Sequence, residues 1–234
     1  MSFIRYAPIK TESEDSVVLG NAVHVMRTID PDFQGPMMIT KATLTQDGTQ
    51  REIYLVLLAG IKCFVRNVNN GFSCLLAGLS LKSPYFFKVK KLMYKHIPEG
   101  SPVLFAGHSL GGMVAQQLAS NRRIKNRYEI IGTVCFGSPL LFTGKKSGAF
   151  IRFVDSSDSI PRLSFRLRAN MRMSIVVKDG GYGGKTVDAH VLSYRNEAIW
   201  GGYDCLGVYG GSAVISYLPA DAYRLPYRKG SLLF

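Results

Sequence analysis

Acidic side chains are scarce in this sequence. Sixteen Asp and Glu face 29 Lys and Arg across 234 residues, a formal net charge of +13 with neutral histidine. Residues 1–52 hold five basic and seven acidic side chains, which leaves 24 basic against nine acidic in residues 53–234. A body that cationic favours anionic partners, phosphate backbones or acidic lipid headgroups, with an attraction that weakens as salt is added. Cysteine is sparse too. Cys63, Cys74, Cys135 and Cys205 lie too far apart for a zinc knuckle or a Cys-x-x-Cys redox pair. A chain of this length needs no disulfide staples, so all four are expected as reduced core residues. Long apolar runs are missing: Ile53–Ile61, the longest, stops at Lys62, far short of the roughly 18 residues of a spanning helix. Met1–Asp15 has no apolar run behind a basic start, so no secretory signal is expected.

What is present excludes disorder and low-complexity stalks, since 47% of residues are apolar and 19% charged. With no internal repeat and no linker, one domain over residues 1–234 is the expectation. Ser16–Arg27 gathers Val17, Val18, Ala22, Val23, Val25 and Met26 into a dense apolar pattern that predicts a helix closed by Pro31 and Pro36. Met38–Thr45 and Glu52–Leu58 are β-rich runs on either side of Asp47-Gly48, a hairpin signal. The second run is apolar almost throughout, as a strand covered on both faces should be. Pro84–Ile97 spaces its apolar residues by three and four with lysines between, which predicts a helix with a cationic face, broken by Pro98-Glu99-Gly100. A short strand, Val103–Ala106, then runs into a glycine, and an amphipathic helix, Gly111–Ser120, ends near Asn121. Ile130–Phe136 and Phe150–Val154 read as strands, and the glycine-rich stretches 180–184 and 201–211 as loops. Helix alternating with buried strand predicts an α/β chain with a mostly parallel central sheet, crossover helices and an antiparallel hairpin on the N-terminal side.

Gly107-His108-Ser109-Leu110-Gly111 satisfies the Gly-x-Ser-x-Gly pattern, and it stands between a predicted buried strand and a predicted helix. Glycines flank the serine because so tight a turn leaves no room for neighbouring Cβ atoms and strains the serine backbone, which exposes its hydroxyl. The helix beginning at Leu110 directs backbone N–H groups and a positive dipole end toward the space above Ser109. A phosphate-loop reading lacks the Gly-Lys-Ser/Thr ending. A serine hydroxyl needs a base, normally histidine, and where the base comes last in the chain only His190 lies beyond Ser109. His24 and His96 on helical segments, and His108 with its side chain directed elsewhere, are expected as ordinary structural histidines. The acid that orients His190 should follow a strand. Asp155 and Asp158 both follow Phe150–Val154, and either serves; Asp155 can instead cap its own turn, and Asp179 and Asp188 are later, less well-placed options.

Three segments in order carry a resemblance: Gly107-His108-Ser109-Leu110-Gly111-Gly112, Cys135-Phe136-Gly137-Ser138-Pro139 and Asp158-Ser159-Ile160-Pro161-Arg162-Leu163. They resemble the class 3 lipases, typified by the fungal triacylglycerol lipases, of the α/β-hydrolase superfamily, and the likeness spans roughly residues 39–200. It implies an α/β-hydrolase fold, Ser109 as nucleophile and Asp158 rather than Asp155 as acid. It also implies His190 as base, with Tyr194 and Trp200 as the Tyr and Trp that often follow it. The place of the family's Arg-Gly-Ser/Thr, which supplies one oxyanion donor, reads Ala59-Gly60-Ile61. The side-chain donor is missing there, and the implied oxyanion hole consists of the backbone N–H groups of Ile61 and Leu110. Gly71-Phe72 resembles the Gly-Phe that follows the family's lid, which leaves Ile61–Asn70 for a short lid region. Residues 201–234 fall outside the likeness, an extension of open role.

The implied activity is serine ester hydrolysis of a lipid, a lipase or phospholipase reaction that requires no metal or cofactor. The cationic body, notably Lys88, Lys90, Lys91 and Lys95 and then Arg122, Arg123, Lys125 and Arg127, suits peripheral contact with an anionic membrane. A reading from another class is a catalytically inactive hydrolase-fold module that binds lipid or protein. Its support is Ile61 and the short lid; the intact set Ser109, Asp158 and His190 speaks against it. Nucleic-acid binding rests on charge alone, since no recognised module appears. Location is expected to be cytoplasmic, or exported by a route that ignores N-terminal signals. Delivery as a membrane-damaging toxin would call for an inhibitory partner protein.

Overall fold

A computed structural model describes residues 15–29, 35–60, 83–141, 147–163 and 175–225. The hairpin signal holds. Strand β2 (Met37–Gln46) and strand β3 (Thr49–Leu58) pair antiparallel across a two-residue turn in which Asp47 and Gly48 take φ of 49° and 76°. Positive φ at both central residues is the primed turn whose twist matches that of the strands it joins.

From β3 onward the strands run parallel: β4 (Pro102–His108), β5 (Glu129–Phe136), β6 (Ala149–Asp155) and β7 (Ile175–Lys178) follow in that order. Helix α2 (Pro84–His96) precedes β4, and α3 (Leu110–Ser120) and α4 (Arg122–Arg127) link β4 to β5. Alternate residues of the buried strands serve different cores. Ile53, Leu55 and Leu57 of β3 with Leu104 and Ala106 of β4 join one cluster, and Val56, Leu58, Val103 and Phe105 join the other. Side chains alternate across a strand, so one covered on both faces must be apolar throughout. Helices α2 and α3 cover the second face with Tyr85, Val89, Met93, Met113 and Leu118. The first face is covered by α1 (Ala22–Ile29) and by Trp200 and Tyr203 from late in the chain.

Three features differ from the sequence reading. The helix expected over Ser16–Arg27 is shorter: Val17–Leu19 forms strand β1, and α1 starts after Gly20-Asn21, where Asn21 Oδ1 accepts the His24 N–H at 2.9 Å. The partner of β1 is β8 (Val214–Tyr217), nearly the whole chain away, so the β-branched Val17-Val18 pair gains its strand state from a contact that no local pattern contains. Residues 201–225 do not stand apart from the sheet. β8 pairs with the far end of β2 through Thr43–Thr45, and β9 (Tyr223–Leu225) pairs with its near end through Met37–Ile39. The loop expected at 201–211 is present and built around Asp204, whose carboxylate accepts the N–H groups of Leu206, Val208 and Ala213 at 2.9–3.2 Å. Last, α4 follows α3 directly, because Asn121 Oδ1 caps its first turn through the N–H groups of Arg123 and Ile124.

Cys135 and Cys205 are buried in the core, as expected; Cys63, Cys74, Ile61 and the lid span Ile61–Asn70 lie outside the described residues. No described helix is long and apolar enough to cross a membrane.

Candidate active site

Ser109 stands between β4 and α3 with φ 54° and ψ −123°, one of two non-glycine residues with positive φ among those described. So strained a backbone persists where its surroundings hold it. A Cβ at Gly107 would fall 2.5 Å from the Gly111 carbonyl carbon, and one at Gly111 would fall 2.0 Å from the Leu58 carbonyl oxygen. Strand, turn and helix can close this tightly only with glycine at both places. The Ser109 N–H donates to the Phe136 carbonyl at 2.9 Å, which ties the turn to the end of β5.

His190 reaches that turn from α5 (Thr186–Leu192). Its Nε2 lies 2.9 Å from Ser109 Oγ and its Nδ1 lies 2.8 Å from Asp158 Oδ2, and all three side chains are buried. A carboxylate only accepts, so Nδ1 carries the proton in the neutral ring and Nε2 presents its lone pair to the serine hydroxyl. Asp158 follows β6 in the turn that leads to Ile160. Its Oδ1 accepts the Ile160 N–H at 2.9 Å, and its Oδ2 also accepts the Tyr194 hydroxyl at 2.7 Å. Burial, then the neighbouring Asp158 charge, push the Tyr194 phenol well above its ordinary range, so it remains a donor.

Of the carboxylates weighed in the sequence, the structure brings Asp158 to His190. Asp155 is equally buried, but its Oδ1 accepts the Ser157 N–H at 2.8 Å, the turn cap anticipated for it, and its Oδ2 accepts the Ser193 hydroxyl. Asp179 is exposed and caps the Gly181 N–H, and Asp188 is exposed on α5.

The expectation that His108 points elsewhere is overturned. Its ring packs on that of His190 with centroids 4.7 Å apart, and its Nε2 lies 2.9 Å from the His190 backbone carbonyl. Burial first, then the His190 ring, hold its pKa well below the ordinary histidine value; the neutral ring donates Nε2–H to the carbonyl. His24 accepts the Gly20 N–H, and His96 stacks on Tyr223 with ring centroids 4.2 Å apart.

Leu110 opens α3, and its N–H belongs to the first-turn donors that a helix leaves without an internal partner. Gly60 closes the other side, where a Cβ would stand 2.9 Å from Ser109 Cβ. Gly137, with φ 54°, backs the histidine: a Cβ there would meet Asp158 Oδ2 at 3.0 Å, His190 Nδ1 at 3.1 Å and the Tyr194 ring at 2.8 Å. The tight contacts of Gly137 and the ring of His108 are invisible in the sequence, because both depend on strands brought side by side. Among the described residues no group of three or more His, Cys, Asp or Glu is placed to hold a metal ion.

The family description Lipase (class 3) matches residues 37–167, which takes in Ser109 and Asp158 and ends before His190. Comparison with curated proteins and with solved structures yields no match.

Proposed function

The chain belongs to the class 3 lipase family and is a lipase-type hydrolase of lipid esters; on that premise we propose that it cleaves a carboxylic ester through an acyl-enzyme on Ser109. In this reading Ser109 Oγ attacks the ester carbonyl while His190 Nε2 takes its proton. The imidazolium so formed is stabilised by Asp158, and the charge on the former carbonyl oxygen meets the Leu110 N–H and, by sequence, that of Ile61. Collapse expels the alcohol, which receives its proton from His190. Water then attacks the acyl group with the same base, releasing the fatty acid and restoring the serine.

The observation that carries this reading is the single imidazole held at 2.8 Å from a buried carboxylate and 2.9 Å from the hydroxyl of a strained serine. The test is a panel of acylglycerols and phospholipids assayed with the wild type and with Ser109→Ala. Hydrolysis by the wild type that disappears in the variant supports the proposal. No hydrolysis by either protein, with lipid still bound, supports the inactive binding module instead.

We further propose that the substrate is met at an anionic lipid surface, phospholipid or acylglycerol. Helix α2 starts beside the site, since the Tyr85 hydroxyl reaches the Pro36 and Ala59 carbonyls, and it carries Phe87, half exposed, and the exposed Lys91. Arg122 and Arg123 are less suited to this contact. They lie past the far end of α3, an 11-residue helix about 16 Å long that starts directly after Ser109. Binding to vesicles of anionic phospholipid should therefore weaken with added salt, and Lys91→Glu should weaken it more than Arg123→Glu. Binding insensitive to salt would contradict the proposal.

A further inference from the structure

A second carboxylate lies beneath the site. Asp155 ends β6 three residues before Asp158 and is as fully buried. One of its oxygens is spent on its own turn; the other accepts the Ser193 hydroxyl. Ser193 follows His190 by three residues on the turn that ends α5, so the two side chains project from one face toward residues 155–158. Ser193 Oγ also accepts the Trp200 indole N–H at 3.4 Å, and the Asp155 N–H donates to the Tyr194 oxygen at 3.0 Å. Gly180 seals the pocket: a Cβ there would stand 2.2 Å from Asp155 Oδ2, so backbone rather than solvent covers that oxygen.

We propose that Asp155 and Ser193 are a positioning pair that sets where His190 stands relative to Ser109, acting through the backbone of residues 190–193 without touching substrate. The proposal rests on the reading of Ser109 as nucleophile and His190 as its base. His190 must satisfy two partners at once, and the helix that carries it is weak: seven residues long, with no side-chain cap at Lys185. A helix this short does not hold itself in place. The bond at Nδ1 fixes one end of the imidazole on the face that carries the side chain, and the His108 ring bonds the His190 carbonyl. The Ser193–Asp155 bond supplies a second fixed point on the same face. Breaking it would leave the buried Ser193 hydroxyl proton and one buried Asp155 oxygen without this bond, which is costly, so a single arrangement persists.

The test uses a fluorophosphonate probe and a short-chain p-nitrophenyl ester on the full chain, with the wild type, Ser109→Ala, Ser193→Ala and Asp155→Asn. Labelling stoichiometry counts competent molecules, and the labelling rate constant reports how well the base meets the serine. The expected result is labelling of the wild type and none of Ser109→Ala. Ser193→Ala and Asp155→Asn should reach the same stoichiometry per folded molecule at a rate about tenfold lower, since small displacements of a catalytic group are expensive. Their kcat falls in step, KM stays within about twofold, and the double variant is no slower than the slower single one, as for residues acting as a unit. Far-ultraviolet circular dichroism and a cooperative urea transition verify that each variant is folded, because the Trp200 indole N–H bonds Ser193 and its emission responds to the substitution itself. Wild-type rates in both variants, or a loss confined to stoichiometry, would overturn the positioning pair and leave the nucleophile reading intact. A wild type that takes no label would overturn both.

Discussion

From β3 to β7 every neighbouring pair of strands is parallel, whereas β1, β8, β2 and β9 pair only antiparallel. Both halves bury apolar side chains, but their polar interiors differ sharply. Of the described buried polar or charged residues only Thr40 lies on one of those four antiparallel strands, while Ser109, Ser138, Arg152, Asp155, Asp158 and His190 sit on or just beyond the parallel set. Parallel strands deliver their C-terminal ends to one edge, so the segments after β4, β5, β6 and β7 converge there. In that way a histidine comes to bond a carboxylate 32 positions away and a serine 81 positions away. The antiparallel half, built partly from the two ends of the described chain, widens the sheet, and the buried carboxylate nearest it, Asp204 in the loop before β8, accepts backbone N–H groups of its own loop. Apolar burial accounts for the stability of both halves; strand direction accounts for the chemistry of one.

The comparison can be broken from either side. On the parallel side the largest effect falls on activity: His190→Ala should lower kcat by at least about a thousandfold per folded molecule, measured by ester hydrolysis against active protein. On the antiparallel side Ile215→Ala in β8, fully buried, should cost about 2–5 kcal/mol of stability in urea titration while kcat per folded molecule stays unchanged. A fall in kcat beyond the loss of folded protein would show that the two halves are not separable.

Gly137→Ala should do both. It sits at φ 54° against Asp158, His190 and Tyr194, so a stability loss of about 1–3 kcal/mol should come with a fall in activity larger than the loss of folded protein explains. The smallest effect is on pH dependence. His108 is neutral in the folded chain because its pKa is depressed, while the unfolded chain takes up a proton at the ordinary histidine value near about 6.5. Its contribution is therefore present above that pH and lost as pH falls toward the depressed folded value. His108→Asn should flatten the decline in urea midpoint between pH 7 and pH 5; an equal decline in both proteins would contradict this.

Strands β3 to β6 and helices α2 and α3 were legible because each carries its signal locally: glycines around Ser109, apolar runs in β3 and β4, spacings of three and four in α2; β7, α4 and α5 are short and were not read. The meeting of Ser109, Asp158 and His190 was legible too, though choosing Asp158 over Asp155 took a family likeness, since local spacing admits both. The antiparallel additions were not. Val17–Leu19 is a strand only because Ile215–Tyr217 lies beside it, and β9 is too short to declare itself. Ring packing of His108 on His190, the Tyr194 hydroxyl on Asp158 and the Ser193–Asp155 bond depend on side-chain directions set by the folded turns. Composition and period contain no record of those directions.

The most direct measurement is peptide mapping by mass spectrometry after reaction with a slowly hydrolysed ester, trapped at low pH. The account predicts one acyl group on the peptide that contains Ser109, accumulating in the wild type and absent from His190→Ala. An acyl group on any other residue, or undiminished acylation of Ser109 without His190, would contradict it.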